Sequence, residues 1–61
     1  MKTSLLILAY NEEDFIENVI LKYVNEFNEI IVVNDKSSDD TQLIIETIQQ
    51  NFENLFLLLQ L

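Results

Sequence analysis

The sequence predicts an α/β fold, a β-α-β-α-β unit with a three-stranded parallel sheet. Three observations carry this expectation. Short, unbroken apolar runs occur at Ser4 to Ala9, Glu29 to Val33 and Asn54 to Leu59, as in strands buried on both faces. Between the runs, apolar residues recur at helical spacing. Strand and helix therefore alternate, an order that calls for parallel strands joined by right-handed crossovers.

The first run, SLLILA, supplies strand one. Phe15, Ile16, Val19, Ile20, Tyr23, Val24 and Phe27 then mark one face of a helix. Asn11 is the expected N-cap, because its side chain can accept from free amides of the first turn. Glu12, Glu13 and Asp14 follow where carboxylates complement the positive end of the helix dipole. The second strand, EIIVV, is richer in β-branched residues. Leu43, Ile44, Ile45, Ile48 and Phe52 mark the second helix, with Ser38 or Asp39 as cap and Asp40 in the first turn. Tyr23 and the phenylalanines are assigned to the core. There is no glycine and no proline, so periodicity alone sets these boundaries.

Sixty-one residues make one small domain, a size that buries only about 60% of its unfolded surface. The chain has no cysteine and no histidine, which excludes disulfides and a classical zinc site. An apolar content of 49% is too high for intrinsic disorder. Three lysines face eleven carboxylates, a net charge of −8. Nucleic acid is excluded as a partner, since that binding relies on basic side chains displacing counterions from phosphate. The apolar run after Lys2 breaks at Asn11-Glu12-Glu13-Asp14, too early for a signal peptide. Leu55 to Leu59 is too short to cross a bilayer. A cytoplasmic segment is expected.

In parallel α/β sheets, ligands lie beyond the carboxyl ends of the strands. Those ends are Tyr10-Asn11-Glu12 and Asn34-Asp35-Lys36-Ser37. Without glycine, a dinucleotide fingerprint and a P-loop are excluded, because both need glycine for close backbone approach to phosphate. Two segments remain: Ala9-Tyr10-Asn11-Glu12-Glu13, and the stretch from Ile30 through Asn34-Asp35-Lys36-Ser37-Ser38-Asp39-Asp40 to Thr41. In this order and separation the chain resembles the start of a family 2 glycosyltransferase. Those enzymes open with a strand ending in Ala-Tyr-Asn-Glu, and later carry a strand ending in Asp-Asp-Gly-Ser-x-Asp-x-Thr.

The resemblance implies the N-terminal part of a GT-A (Rossmann-like) glycosyltransferase domain, with residues 1–61 an incomplete domain. It implies a nucleotide-diphosphate sugar as ligand, with a UDP-sugar as the expected donor. Ala9 and Tyr10 would line the base pocket, Glu12 would reach the nucleoside, and Asp35 would hydrogen-bond the base. A carboxylate suits a uracil imide N–H, since it only accepts, and a tyrosine ring can cover the face of a base. Bland roles stand beside these. Glu12 could equally complement the helix dipole, and Asp35 could be an ordinary turn residue. Glu13 and Asp14 are assigned to the dipole, and Ser37, Ser38, Asp39 and Thr41 to the loop and its caps.

Lys36 and Leu8 depart from the family pattern. Lys36 stands where glycine is usual, which costs about 1 kcal/mol if the turn needs a positive φ. Leu8 replaces a frequent proline. The family's reaction displaces the nucleotide with inversion at the sugar. It uses Mg or Mn held by an Asp-x-Asp motif and a carboxylate general base, both expected beyond Leu61. Asp39-Asp40 lies at a helix start and is not that motif. No catalytic residue, metal ligand or cofactor is therefore assigned within this chain, and alone it is expected not to transfer sugar. Self-association is expected through the open edge of strand one, at Leu5 to Leu8, and through Leu55 to Leu61. The alternative function is a non-catalytic βαβαβ interaction module stabilised by self-association, with Glu12 and Asp35 pointing into solvent.

Overall fold

The computed structural model describes residues 2–60. The elements run β1 (Ser4–Ala9), α1 (Ile16–Tyr23), β2 (Glu29–Asp35), α2 (Thr41–Gln49) and β3 (Leu55–Gln60). The expected element order is thus the observed one, and the strands form a parallel sheet in the order β1-β2-β3. In register, Leu6, Ile31 and Phe56 form one row across the sheet; Leu8, Val33 and Leu58 form another two residues on.

Because the chain steps in one direction along the sheet, crossovers of a single hand bring both helices to the same face. There α1 and α2 pack against each other. The core lies beneath them: Ala9, Ile30, Val32 and Leu55 from the sheet meet Ile16, Ile20 and Val24 from the first helical segment and Ile45 and Ile48 from α2. Alternation places these strand residues on one side of the pleat. Tyr23, Phe27 and Phe52 pack against this core, with the Tyr23 and Phe27 rings edge to face at 6.1 Å.

The expectation of strands covered on both faces is corrected. Leu6, Leu8, Phe56 and Leu58 are exposed on the face away from the helices, because both crossovers spend their cover on one side. Two of the phenylalanines also leave the core: Phe15 is 65% exposed and Phe56 47%. Val19 and Leu43, both counted on the apolar helical faces, are exposed too.

Asn54 joins the two halves of the fold. Its Nδ2 donates to the carbonyls of Val24 at 2.8 Å and Phe27 at 3.3 Å. Its own carbonyl accepts from Ile30 N–H at 2.8 Å. The start of β3 is thereby tied to the end of α1 and the start of β2. Among the described residues, no helix is long and apolar enough to cross a membrane. The proposed associative segment Leu55 to Leu61 ends on Leu61, which lies outside the described residues.

Candidate nucleotide site at the strand ends

Beyond β1 and β2 the two connecting loops are laced together. Asn11 takes a positive φ of 50°, a conformation that asparagine tolerates better than most residues. Its N–H donates to Ser37 Oγ at 3.0 Å, and the Ser37 hydroxyl in turn donates to Asn34 Oδ1. Asn34 is a buried polar residue at the end of β2, so this bond satisfies an acceptor that would otherwise be costly to bury. Asn11 Oδ1 accepts from Ser38 N–H at 2.8 Å. That bond corrects the expected N-cap: Asn11 braces the opposite loop, and α1 begins only at Ile16, with Phe15 before it and no side-chain cap.

The second brace runs through Thr41, which is fully buried at the start of α2. Its Oγ1 accepts from Glu12 N–H at 2.9 Å and its hydroxyl donates to Asp39 Oδ1. Asp39 Oδ1 also accepts from Thr41 N–H at 3.0 Å, and Asp39 Oδ2 accepts from Glu13 N–H at 3.3 Å. The expected cap of α2 at Ser38 or Asp39 is corrected: Asp40 holds the N-cap position without a side-chain cap bond, and Asp39, one residue earlier, braces Thr41 and Glu13. Desolvation works to raise the Asp39 pKa, but the hydrogen bonds from Thr41 and Glu13 together outweigh it and hold the carboxyl below its ordinary value.

Lys36 keeps the turn shape that glycine would serve, with φ 55°. A non-glycine residue there carries strain of about 1–2 kcal/mol. The backbone has kept the conformation and accepted the lysine.

This scaffold frames a concavity of ≈ 320 Å³ lined by Leu8, Ala9, Tyr10, Glu12, Val33 and Asp35, at the small end of ligand sites. All four residues singled out from the sequence, Ala9, Tyr10, Glu12 and Asp35, line it together. Ala9 is buried with its side chain toward the helices, Tyr10 is 61% exposed at the rim, Glu12 is half-buried and Asp35 is exposed. Leu8 and Val33 were missed, although each lies two residues before a chosen one and so shares its side of the pleat. They are register partners across β1 and β2.

A second concavity, ≈ 290 Å³, opens between α1 and α2, with Glu13, Asp14 and Glu17 near Leu43 and Ile44. It lies away from the strand ends. Glu13 and Asp14 line it. Among the described residues no three Asp, Glu, His or Cys side chains group to hold a metal ion. The Asp39 oxygens are already engaged by Thr41 and Glu13, so no step through a metal is assigned to these residues.

A parallel α/β unit with a side-chain-lined cavity at the carboxyl ends of its first two strands has that cavity where sheets of this kind bind their ligands. The chain belongs to glycosyl transferase family 2, whose sequence profile matches residues 4–60. It is similar to the poly-beta-1,6-N-acetyl-D-glucosamine synthases of Staphylococcus aureus. Identity is 43% over 60 residues with that of strain MSSA476 and 45% over 60 residues with that of strain COL. In both cases the match covers 90% of this chain and 14% of the relative. No solved structure matches the chain significantly.

Proposed function

We propose that this segment recognises the nucleotide of a sugar donor, and that the protein it serves transfers the sugar from a UDP-linked donor with inversion. The observation that carries this reading is the convergence of Ala9, Tyr10, Glu12 and Asp35 on one cavity. Asp35 presents an acceptor-only carboxylate to a base N–H. Tyr10 offers an exposed ring to the flat face of the base. Glu12, whose backbone is pinned by Thr41, is held where its side chain can meet the nucleoside. The non-catalytic module alternative would leave Glu12 and Asp35 in solvent; Asp35 is exposed and Glu12 half-buried, and it is the cavity they share that favours recognition.

A chain of net charge −8 repels a diphosphate. In this reading a divalent cation, Mg or Mn, would supply the positive charge that offsets the diphosphate, and none of these residues is assigned to hold it. The 61 residues alone then bind without turning over. N-acetyl-D-glucosamine, the sugar in the relatives' name, is the first donor sugar to test.

The test is an amide NMR titration of the chain with UDP and UDP-N-acetylglucosamine in magnesium, with AMP as control. Shifts confined to residues around Tyr10, Glu12 and Asp35, saturating with UDP and weaker with AMP, are expected. A folded spectrum indifferent to UDP would sink the proposal and leave the interaction module.

A further inference from the structure

The turn after β2 holds a residue that its backbone does not favour. Lys36 sits at φ 55°, a left-handed conformation that is costly for a side chain with no local hydrogen bond to offer. The bonds that fix this turn run through Asn11, Asn34, Ser37 and Ser38 and do not use the lysine side chain. Backbone strain of this kind collects where a side chain clamps a ligand.

The distribution of charge gives the lysine a task. The chain has three lysines, no arginine and no histidine. Lys2 precedes β1 and Lys22 lies in the last turn of α1, both at the end of the sheet where the strands begin. Two contacts place the end of α1 there: Asn28 Oδ1 accepts from Thr3 N–H at 2.7 Å, and Asn54 bonds the Val24 carbonyl. Lys22 is also drawn over the Tyr23 ring, 5.4 Å from its centroid. Of the three, Lys36 alone stands at the carboxyl ends of the strands, directly after Asp35, which lines the cavity with Glu12. Those two carboxylates repel an anion, and Lys36, exposed beside Asp35, attracts one.

We propose that Lys36 binds the phosphate of the nucleotide, so that adjacent residues divide a nucleoside phosphate between them: Asp35 takes the base and Lys36 the anion. The inference rests on the nucleotide reading given above. An ammonium is a point charge on a flexible stem, suited to phosphate without a fixed geometry. The braced turn fixes where that stem is rooted, next to the carboxylate that holds the base. Glycine in this turn would relax the backbone and remove the cation.

Amide NMR titrations of the chain with uridine, UMP and UDP test this, in EDTA so that no metal masks the lysine. The wild type should bind UMP and UDP at least as tightly as uridine, despite a net charge of −8. Lys36→Met keeps the stem and removes the charge; it should weaken UMP and UDP about tenfold and change uridine by less than about twofold. Lys36→Arg should retain the phosphate binding. Lys36→Gly should bind UDP as weakly as the methionine variant while unfolding at higher urea, a combination that a purely structural role does not produce. The gap between the wild type and Lys36→Met should narrow as salt rises. On the wild type itself, the Lys36 Cε–H signals should move with UMP and UDP and not with uridine, a readout independent of how the variants fold. UDP binding equal in wild type and Lys36→Met overturns the inference and leaves the nucleotide reading intact. An equal loss of uridine and UDP also overturns it, since the lysine would then serve the base or balance Asp35. A folded chain that binds neither uridine nor UDP ends the nucleotide reading, and this inference with it.

Discussion

The Thr41 hydroxyl accepts a hydrogen bond from the backbone N–H of Glu12 across 2.9 Å, joining residues 29 positions apart in sequence. One buried oxygen thus sets the height of the loop after β1 against the start of α2. Replacing Thr41 with valine keeps the shape but leaves the Glu12 N–H without its partner. The variant should lose about 1–3 kcal/mol of stability, read from urea unfolding. Thr47→Val is the contrast: the Thr47 hydroxyl only bonds the Leu43 carbonyl on an exposed part of α2, so a change within about 0.5 kcal/mol is expected.

Lys36→Gly should stabilise the chain by about 0.5–1 kcal/mol. Relief of the left-handed strain at φ 55° exceeds the added freedom of the unfolded chain. Asn11→Gly shares the backbone argument, with φ 50°, but removes the acceptor for Ser38 N–H. It should destabilise. Urea midpoints of the two variants moving in opposite directions would separate backbone strain from side-chain bracing.

Asp39 makes stability depend on pH. Its folded-state pKa lies below the ordinary 3.8, so its contribution is fully present above that value and is lost as pH falls through the lower, folded one. Protonation elsewhere relieves repulsion in this acidic chain and works in the opposite direction. The difference between the wild type and Asp39→Asn isolates the Asp39 part. Unfolding free energies should differ at neutral pH and converge as the pH drops below about 3.8.

For the nucleotide, Asp35→Ala should weaken UDP binding by roughly 10- to 100-fold, the loss of a charge-assisted hydrogen bond of about 1.5–3 kcal/mol. Tyr10→Ala should cost about 1–3 kcal/mol of binding, while Tyr10→Phe retains the stacking face and most of the affinity. NMR titration of the three variants measures this directly. If Tyr10→Phe were as weak as Tyr10→Ala, the ring would not be stacking.

The face of the sheet away from the helices and the cavity at the strand ends share Leu8 and Val33. This overlap follows from pleat alternation, which puts residues two apart on the same side of a strand. Period two therefore reveals Leu8 and Val33 once Tyr10 and Asp35 are chosen. It does not reveal which side the helices cover.

Local pattern was enough for the element order and the parallel sheet; Ala9, Tyr10, Glu12 and Asp35 were implied only by the family resemblance at the strand ends. Strand runs and helical spacing are properties of neighbouring residues, and strand ends are where such sheets place ligands. The tertiary structure alone decided three other matters. Asn11 serves Ser38 and not α1, because a side-chain acceptor goes to whichever donor the fold brings near. Phe15, Phe56, Leu6 and Leu58 stand in solvent, because two crossovers of one hand cover only one face of three strands. Glu12 and Asp35 share a cavity because the loops carrying them are braced through Asn11, Ser37 and Thr41, partners too far apart in sequence for any local pattern to pair.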